Sequence, residues 1–258
     1  MLGHLHKTCR DTSKPYTKSE VFRFAVPDEK VPWNVQWDEY KPAEYNSDKI
    51  KGKEWADPEA VKGLKFNQID GKLNRKSHMG DYKLDESGAP LNPEGRTGLR
   101  GRGILGRWGP NHATDPLISR LNDGKLQYIA IERSDTGQWA LPGGMIDAGE
   151  EPLEAAKREF TEEALDSIPA DEMKELWKNG TVLYKGYVDD PRNTDNSWME
   201  TLVYNFHDTN GVMDKCKLKA GDDAVNVQWK NVDDNVPLYA SHSNFIKLLA
   251  KHHKYDSK

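Results

Sequence analysis

Residues Gly144 to Glu163 read GMIDAGEEPLEAAKREFTEE, and the spacing of their acids, apolar residues and single proline decides the architecture. Pro152 suits the first turn of a helix, where a missing N–H leaves no bond unmade, and Pro169 stops a run that starts there. The expectation is a helix over 151–167. At about 100° per residue, Glu159, Glu162 and Glu163 share one arc while Leu153, Ala156, Phe160 and Ala164 fill the next. One stripe is buried and its neighbour is acidic.

Like charges three and four residues apart repel, so this acidic stripe needs either full solvation or a cation. The residues ahead of it favour the cation. Leu141-Pro142-Gly143-Gly144 and Gly149 let backbone approach a ligand closely, Glu150 adds a carboxylate at the loop end, and Arg158 stands four residues before Glu162, where it can hold that acid in position. A donor set made only of oxygens suits Mg²⁺, with Mn²⁺ as a substitute, and a magnesium ion takes further oxygens from substrate phosphates. The chemistry indicated is phosphoryl transfer at a diphosphate.

The 258 residues can form one large domain or two modest ones, and 36% apolar residues suffice for a core in each half. A formal net charge of −5 gives no basic field for nucleic acid. Cys9 and Cys216 cannot form a four-cysteine zinc site or a disulfide framework. No apolar stretch approaches the roughly 20 residues that span a bilayer. The opening MLGHLHKTCRDTSKPYTK lacks the apolar centre of a secretory signal; it fits a frayed terminus or the remnant of a mitochondrial presequence.

Three regions are expected: a flexible N-terminal segment at 1–19, an accessory substrate-binding α+β domain at 20–118, and a catalytic domain at 119–258. In the last, strands are expected at Leu126–Arg133, Trp139–Leu141, Val182–Val188, Trp198–Phe206 and Val225–Trp229, with a closing helix at Ser243–His253. Asp222 and Asp223 read as loop. Gly101-Arg-Gly103-Ile-Leu-Gly106 satisfies a dinucleotide-binding pattern, but no apolar strand leads into it and Pro110 cuts off the helix it should open.

Gly144, Glu150, Arg158, Glu159, Phe160, Glu162 and Glu163 together resemble the Nudix box, except that Leu165 stands where that box usually has glycine. The resemblance implies an α/β class fold, the Nudix α/β/α sandwich with a mixed sheet. Further stretches, Glu29–Trp33, Asn92–His112, Tyr184–Glu200 and Pro237–His242, resemble mitochondrial-type ADP-ribose pyrophosphatases. They equally resemble the ADP-ribose-sensing domains of melastatin-type transient receptor potential cation channels. This implies ADP-ribose as ligand, with hydrolysis to AMP and ribose 5-phosphate.

On that resemblance Glu159, Glu162 and Glu163 hold the metal and Glu150 is an outer or water-mediated ligand. Asp190 and Arg192 supply ribose and phosphate contacts. Tyr239 and His242 either stack on a base, bond a phosphate or ribose, or merely sit near a helix start. Arg96 and Thr97 either approach the ligand or form a Gly-rich turn. The general base stays unassigned. The alternative role is a sensing module of a cation channel, still competent in hydrolysis, whose partner is the rest of that channel. The free enzyme would be mitochondrial; the channel domain would face the cytoplasm at the plasma membrane.

Overall fold

Asp123 and Gly124 both take positive φ, 48° and 74°, the two-residue turn that right-twisted antiparallel strands prefer. Around it Asn122 pairs with Lys125 and Ser119 with Tyr128, joining the strands Gly109–Asn122 and Lys125–Arg133. The computed structural model to which they belong describes residues 6–167, 170–221, 224–234 and 236–255. These strands are the middle of a sheet ordered Thr181–Tyr187, Ser197–Asp208, Gly109–Asn122, Lys125–Arg133 and Ala224–Asn231, with Trp139–Ala140 and Gly144–Met145 added at its side. Lys125–Arg133 pairs antiparallel with three of its neighbours, and Trp139 adds a parallel bridge to Leu238.

Alternation along these strands builds two cores. Leu117, Leu126, Tyr128 and Ala130 point to one face, where they meet Phe245, Ile246 and Leu249 of helix α3 (His242–His252). Their chain neighbours Ile118 and Ile129 point to the other, where they meet Phe160 and Ala164 of helix α1 (Pro152–Ala164) and Met173 and Leu176 of helix α2 (Ala170–Lys178). Successive strand residues face opposite ways, so near-continuous apolar runs here mean a sheet covered on both sides. The sandwich follows from that, and the expected strands and closing helix match to within a few residues.

Several elements differ from the sequence expectation. Helix α1 ends at Ala164, three residues short of the expected limit; Leu165–Ser167 turns into an extended segment that pairs with Lys217–Leu218. The Lys219 and Gly221 amides donate to the Ala164 and Glu163 carbonyls at 3.0 and 3.1 Å. They satisfy acceptors that a glycine after the helix would otherwise help to close. Pro169, expected to be the stop, lies outside the described residues, as do Asp222 and Asp223.

Gly109–Asn122 is a strand although its first half reads Gly-Pro-Asn-His, because Asn111, Thr114 and Ser119 are buried with bonded side chains rather than exposed in a loop. Helix α2 is an addition, although Met173, Leu176 and Trp177 sit at helical spacing.

The chain forms two compact units. One comprises Ala113–Ile146, Glu150–Lys185 and Thr201–Lys258, and carries the three helices. The other runs up to His112 and takes in Asp147–Gly149 and Gly186–Glu200. Among its described residues there are single 3₁₀ turns and short strands but no α-helix, in place of the expected α+β mixture. Its polar framework explains why. Arg75 pairs its two terminal guanidinium nitrogens with Asp57, Asn92 and Asn196 bond backbone 102 and 106 residues away in the chain, and Gly98 lies so close to Phe24 that a Cβ would enter its carbonyl oxygen. Side-chain bonds to loop backbone here replace helical ones. Within the segment expected to be flexible, His6 and Cys9 are buried, and the Thr8 and Cys9 amides donate to Asp189 at 2.8 and 2.9 Å. Gly101 and Gly103 lie in the strand Leu99–Gly103, packed on Tyr45 and Tyr16, and form no phosphate loop.

Candidate active site

Glu150, just before α1, and Glu159 and Glu162 on it converge on one guanidinium. Arg158 Nε and Nη2 each donate at 2.9 Å to a different oxygen of Glu150, Nη1 donates to Glu159 at 2.8 Å and to Glu162 at 3.3 Å, and Nη2 also reaches the Met145 carbonyl. Three carboxylates therefore share one positive charge. Glu163 takes a different partner: its Oε2 accepts the Gly143 amide at 2.9 Å, which ties the helix to the Pro142-Gly143-Gly144 turn.

Exposure separates the acids. The Glu159 side chain is 12% exposed and Glu162 59% exposed. Burial pushes the Glu159 carboxyl above its usual range, against the opposing pull of Arg158. Hydrogen bonds to Glu150 and Glu159 hold Arg158 still further into its charged form, against its partial burial.

The two glycines of the turn are demanded by close approach. A Cβ on Gly144 would fall inside the Glu159 carboxylate, and one on Gly143 would lie 2.5 Å from the Thr114 carbonyl and 2.7 Å from Asp115 Oδ1. Only residues without a side chain bring backbone this near the acids.

Asp115, which sequence reasoning passed over, joins the turn to the start of α3. Its Oδ2 accepts Thr201 Oγ1 at 2.6 Å and its Oδ1 lies 3.7 Å from His242 Nε2. His242 Nδ1 accepts the Leu141 amide at 2.9 Å, which assigns the imidazole proton to Nε2 on the Asp115 side. Tyr239 sits 6.0 Å from His242 in edge contact, with Arg133 4.7 Å over its ring. Leu141, Gly144, Tyr239, His242 and the acids thus belong to one unit and one run of contacts. The sequence signal for Asp115 is the proline that follows it, which disfavours a helix at that position.

The other expected residues lie in the other unit. Asp190 is buried and holds Arg192 side-on, accepting Nε at 2.8 Å and Nη2 at 2.7 Å, with Arg192 about one-third exposed. Arg96 and Thr97 are bonded into the framework of that unit. The Arg96 guanidinium donates to the carbonyls of Lys30, Pro32 and Val35 and lies over Trp33, Trp37 and Tyr40. Thr97 bonds Asp195 through both amide and hydroxyl.

The donors fit a hard divalent cation. They are all oxygens, and Glu162 is exposed with one long contact to Arg158.

Comparison with known proteins places this geometry in a family. Residues 26–109 match the model of the NUDT9-like N-terminal domain, and residues 115–249 match that of the NUDIX domain. Nudix hydrolase 6 of Caenorhabditis elegans, a provisional designation, is 50% identical over 98% of this chain and 100% of its own length. The mitochondrial ADP-ribose pyrophosphatase of Rattus norvegicus is 48% identical over 93% of this chain and 76% of that protein. A transient receptor potential cation channel subfamily M member-like 2 of Nematostella vectensis is 44% identical over 96% of this chain, which spans 18% of the channel. With the acids, the arginine and the glycine turn in place and both domain models matched, the chain belongs to the Nudix hydrolase family.

Proposed function

We propose that this protein hydrolyses ADP-ribose to AMP and ribose 5-phosphate with Mg²⁺, for which Mn²⁺ can substitute. The observation that carries the reading is the cluster of Glu150, Glu159 and Glu162 on Arg158, with Glu163 bound to the glycine turn. Similarity to a named ADP-ribose pyrophosphatase over most of both chains supports the substrate.

In this reading Glu159, Glu162 and Glu163 hold the metal and Glu150 lies outside them. A bound divalent ion offsets charge on the phosphates and lowers the pKa of water. The chain's own groups do the rest. Arg158 keeps Glu150, Glu159 and Glu162 together, and the Gly143-Gly144 turn brings backbone to the diphosphate. Tyr239 and His242 contact the nucleoside or ribose. Arg192, held by Asp190, is the candidate ligand cation of the other unit. Net reaction adds water across one P–O bond of the diphosphate bridge. Arg96 and Thr97 have no ligand role in this account.

The second reading, a sensing domain, draws on the 44% identity to a channel of which this chain covers 18%. Both readings share the ligand. The free enzyme would act in mitochondria and the channel domain beneath the plasma membrane; among the described residues no helix is long and apolar enough to cross a membrane. Incubation with ADP-ribose and Mg²⁺, with NADH and a nucleoside triphosphate as controls, should release AMP and ribose 5-phosphate from the first alone. Preferred cleavage of the triphosphate would overturn the substrate. Binding without turnover would favour sensing.

A further inference from the structure

Glu200 presents an unusual problem within the unit that runs up to His112. Its side chain is fully buried, yet no lysine or arginine touches it among the described residues. Oε1 accepts Ser77 Oγ at 2.5 Å and Trp198 Nε1 at 2.7 Å; Oε2 accepts the His78 amide at 2.6 Å. The result is a carboxyl group in the interior without a permanent counter-charge among the described residues.

What faces it is a pair of imidazoles. His112 Nε2 lies 3.7 Å from Oε2, is buried, makes no hydrogen bond, and belongs to a side chain nine-tenths buried. The His78 ring lies beside it, centroids 4.7 Å apart and planes 35° apart. Each ring offers a nitrogen, the side-chain atom that most commonly binds a metal. One ligand atom from each of His78, His112 and Glu200 lies within 4.8 Å of the other two.

We propose that His78, His112 and Glu200 form a second divalent-metal site, separate from the acid cluster on α1 and selective for a borderline ion such as Zn²⁺. Two nitrogens and one carboxylate oxygen are a zinc donor set with water as the fourth ligand. Zinc bonds of about 2.0–2.1 Å imply ligand separations of roughly 3.3 Å, so the side chains must close by an ångström or so, a matter of small χ rotations. Ser77, Trp198 and the His78 amide already orient the carboxylate, as partners behind a metal ligand do. The ion joins a loop, the strand end at His112 and the strand at Glu200, which are far apart in sequence, in a unit whose described residues form no α-helix. Its role is a clip for that unit.

The test uses the whole protein and metal alone. Zn²⁺ added to ¹⁵N-labelled wild type should shift the imidazole nitrogens of His78 and His112. Co²⁺ should give the intense visible bands of a tetrahedral site at about one ion per chain. Both signals should persist in Glu162→Gln/Glu163→Gln and vanish in His112→Gln and His78→Gln. Unmoved His78 and His112 resonances at saturating zinc would overturn the proposal, and because that measurement needs only wild type, it stands even if a variant fails to fold. Loss of the cobalt bands on substituting the α1 acids, with their retention in the histidine variants, would overturn it equally.

Discussion

Arg158 holds Glu150 side-on, each carboxylate oxygen receiving its own N–H at 2.9 Å, while the remaining nitrogen of the fork is shared between Glu159 and Glu162. Glu150 precedes the helix and the other two lie on it, so one planar cation joins the loop to the helix before any metal or substrate arrives. That pre-arrangement is what a site assembled from mutually repelling acids requires.

Lysine cannot reproduce the fork. Arg158→Lys should lower kcat at least about tenfold, while thermal melting moves by only a degree or two, because partly exposed ion pairs contribute little to stability. Steady-state kinetics on ADP-ribose with parallel melting curves check this; an unchanged kcat would remove Arg158 from the positioning role.

Arg96→Lys should behave in the opposite way. The guanidinium feeds three carbonyls and covers three aromatic rings, and a lysine would leave buried acceptors unmet at a cost of roughly 2–4 kcal/mol. Urea unfolding should show that loss while KM for ADP-ribose stays within about twofold. Intact stability with a raised KM would return Arg96 to the ligand.

His6 provides a pH dependence. Burial is the main reason its pKa falls from the usual 6.5 to about 4, against the attraction of Asp189, and its Nδ1 lies 2.9 Å from the Tyr187 hydroxyl. Above 6.5 folded and unfolded chains both leave it neutral. Between 6.5 and 4 the unfolded chain takes up a proton that the folded one refuses, so its contribution to stability is lost as pH falls through that window, by at most about 3 kcal/mol. His6→Gln should flatten the slope of unfolding free energy against pH between about 4 and 6.5 relative to wild type; equal slopes would show that His6 titrates normally in the fold.

The acid cluster was legible because its information is local. Residues three and four apart on a helix are neighbours whatever surrounds them, so the shared arc of Glu159, Glu162 and Glu163, and the reach of Arg158 to Glu162, follow from spacing alone. The apolar runs at Leu126–Arg133 and Trp198–Phe206 likewise announce strands covered on both faces. The end of α1 did not follow from spacing: Leu165 gives no stop signal, and the amides that close the helix come from Lys219 and Gly221, more than fifty positions on. A Cβ at Gly221 would strike the Glu162 carbonyl, so the glycine missing after the helix has a counterpart in a distant loop.

From the sequence alone came the helix, its acidic stripe, the glycine turn before it and the strands flanking it, since each depends on side-chain periodicity or on what proline and glycine permit at their own positions. Tertiary structure alone decided that Arg96 supports a framework of carbonyls and rings, that the Leu141 amide bonds His242 beside Asp115, and that His78, His112 and Glu200 converge. Those depend on which residues far apart in the chain come within hydrogen-bonding distance, and a polar side chain reads the same in sequence whether it faces water or a buried partner.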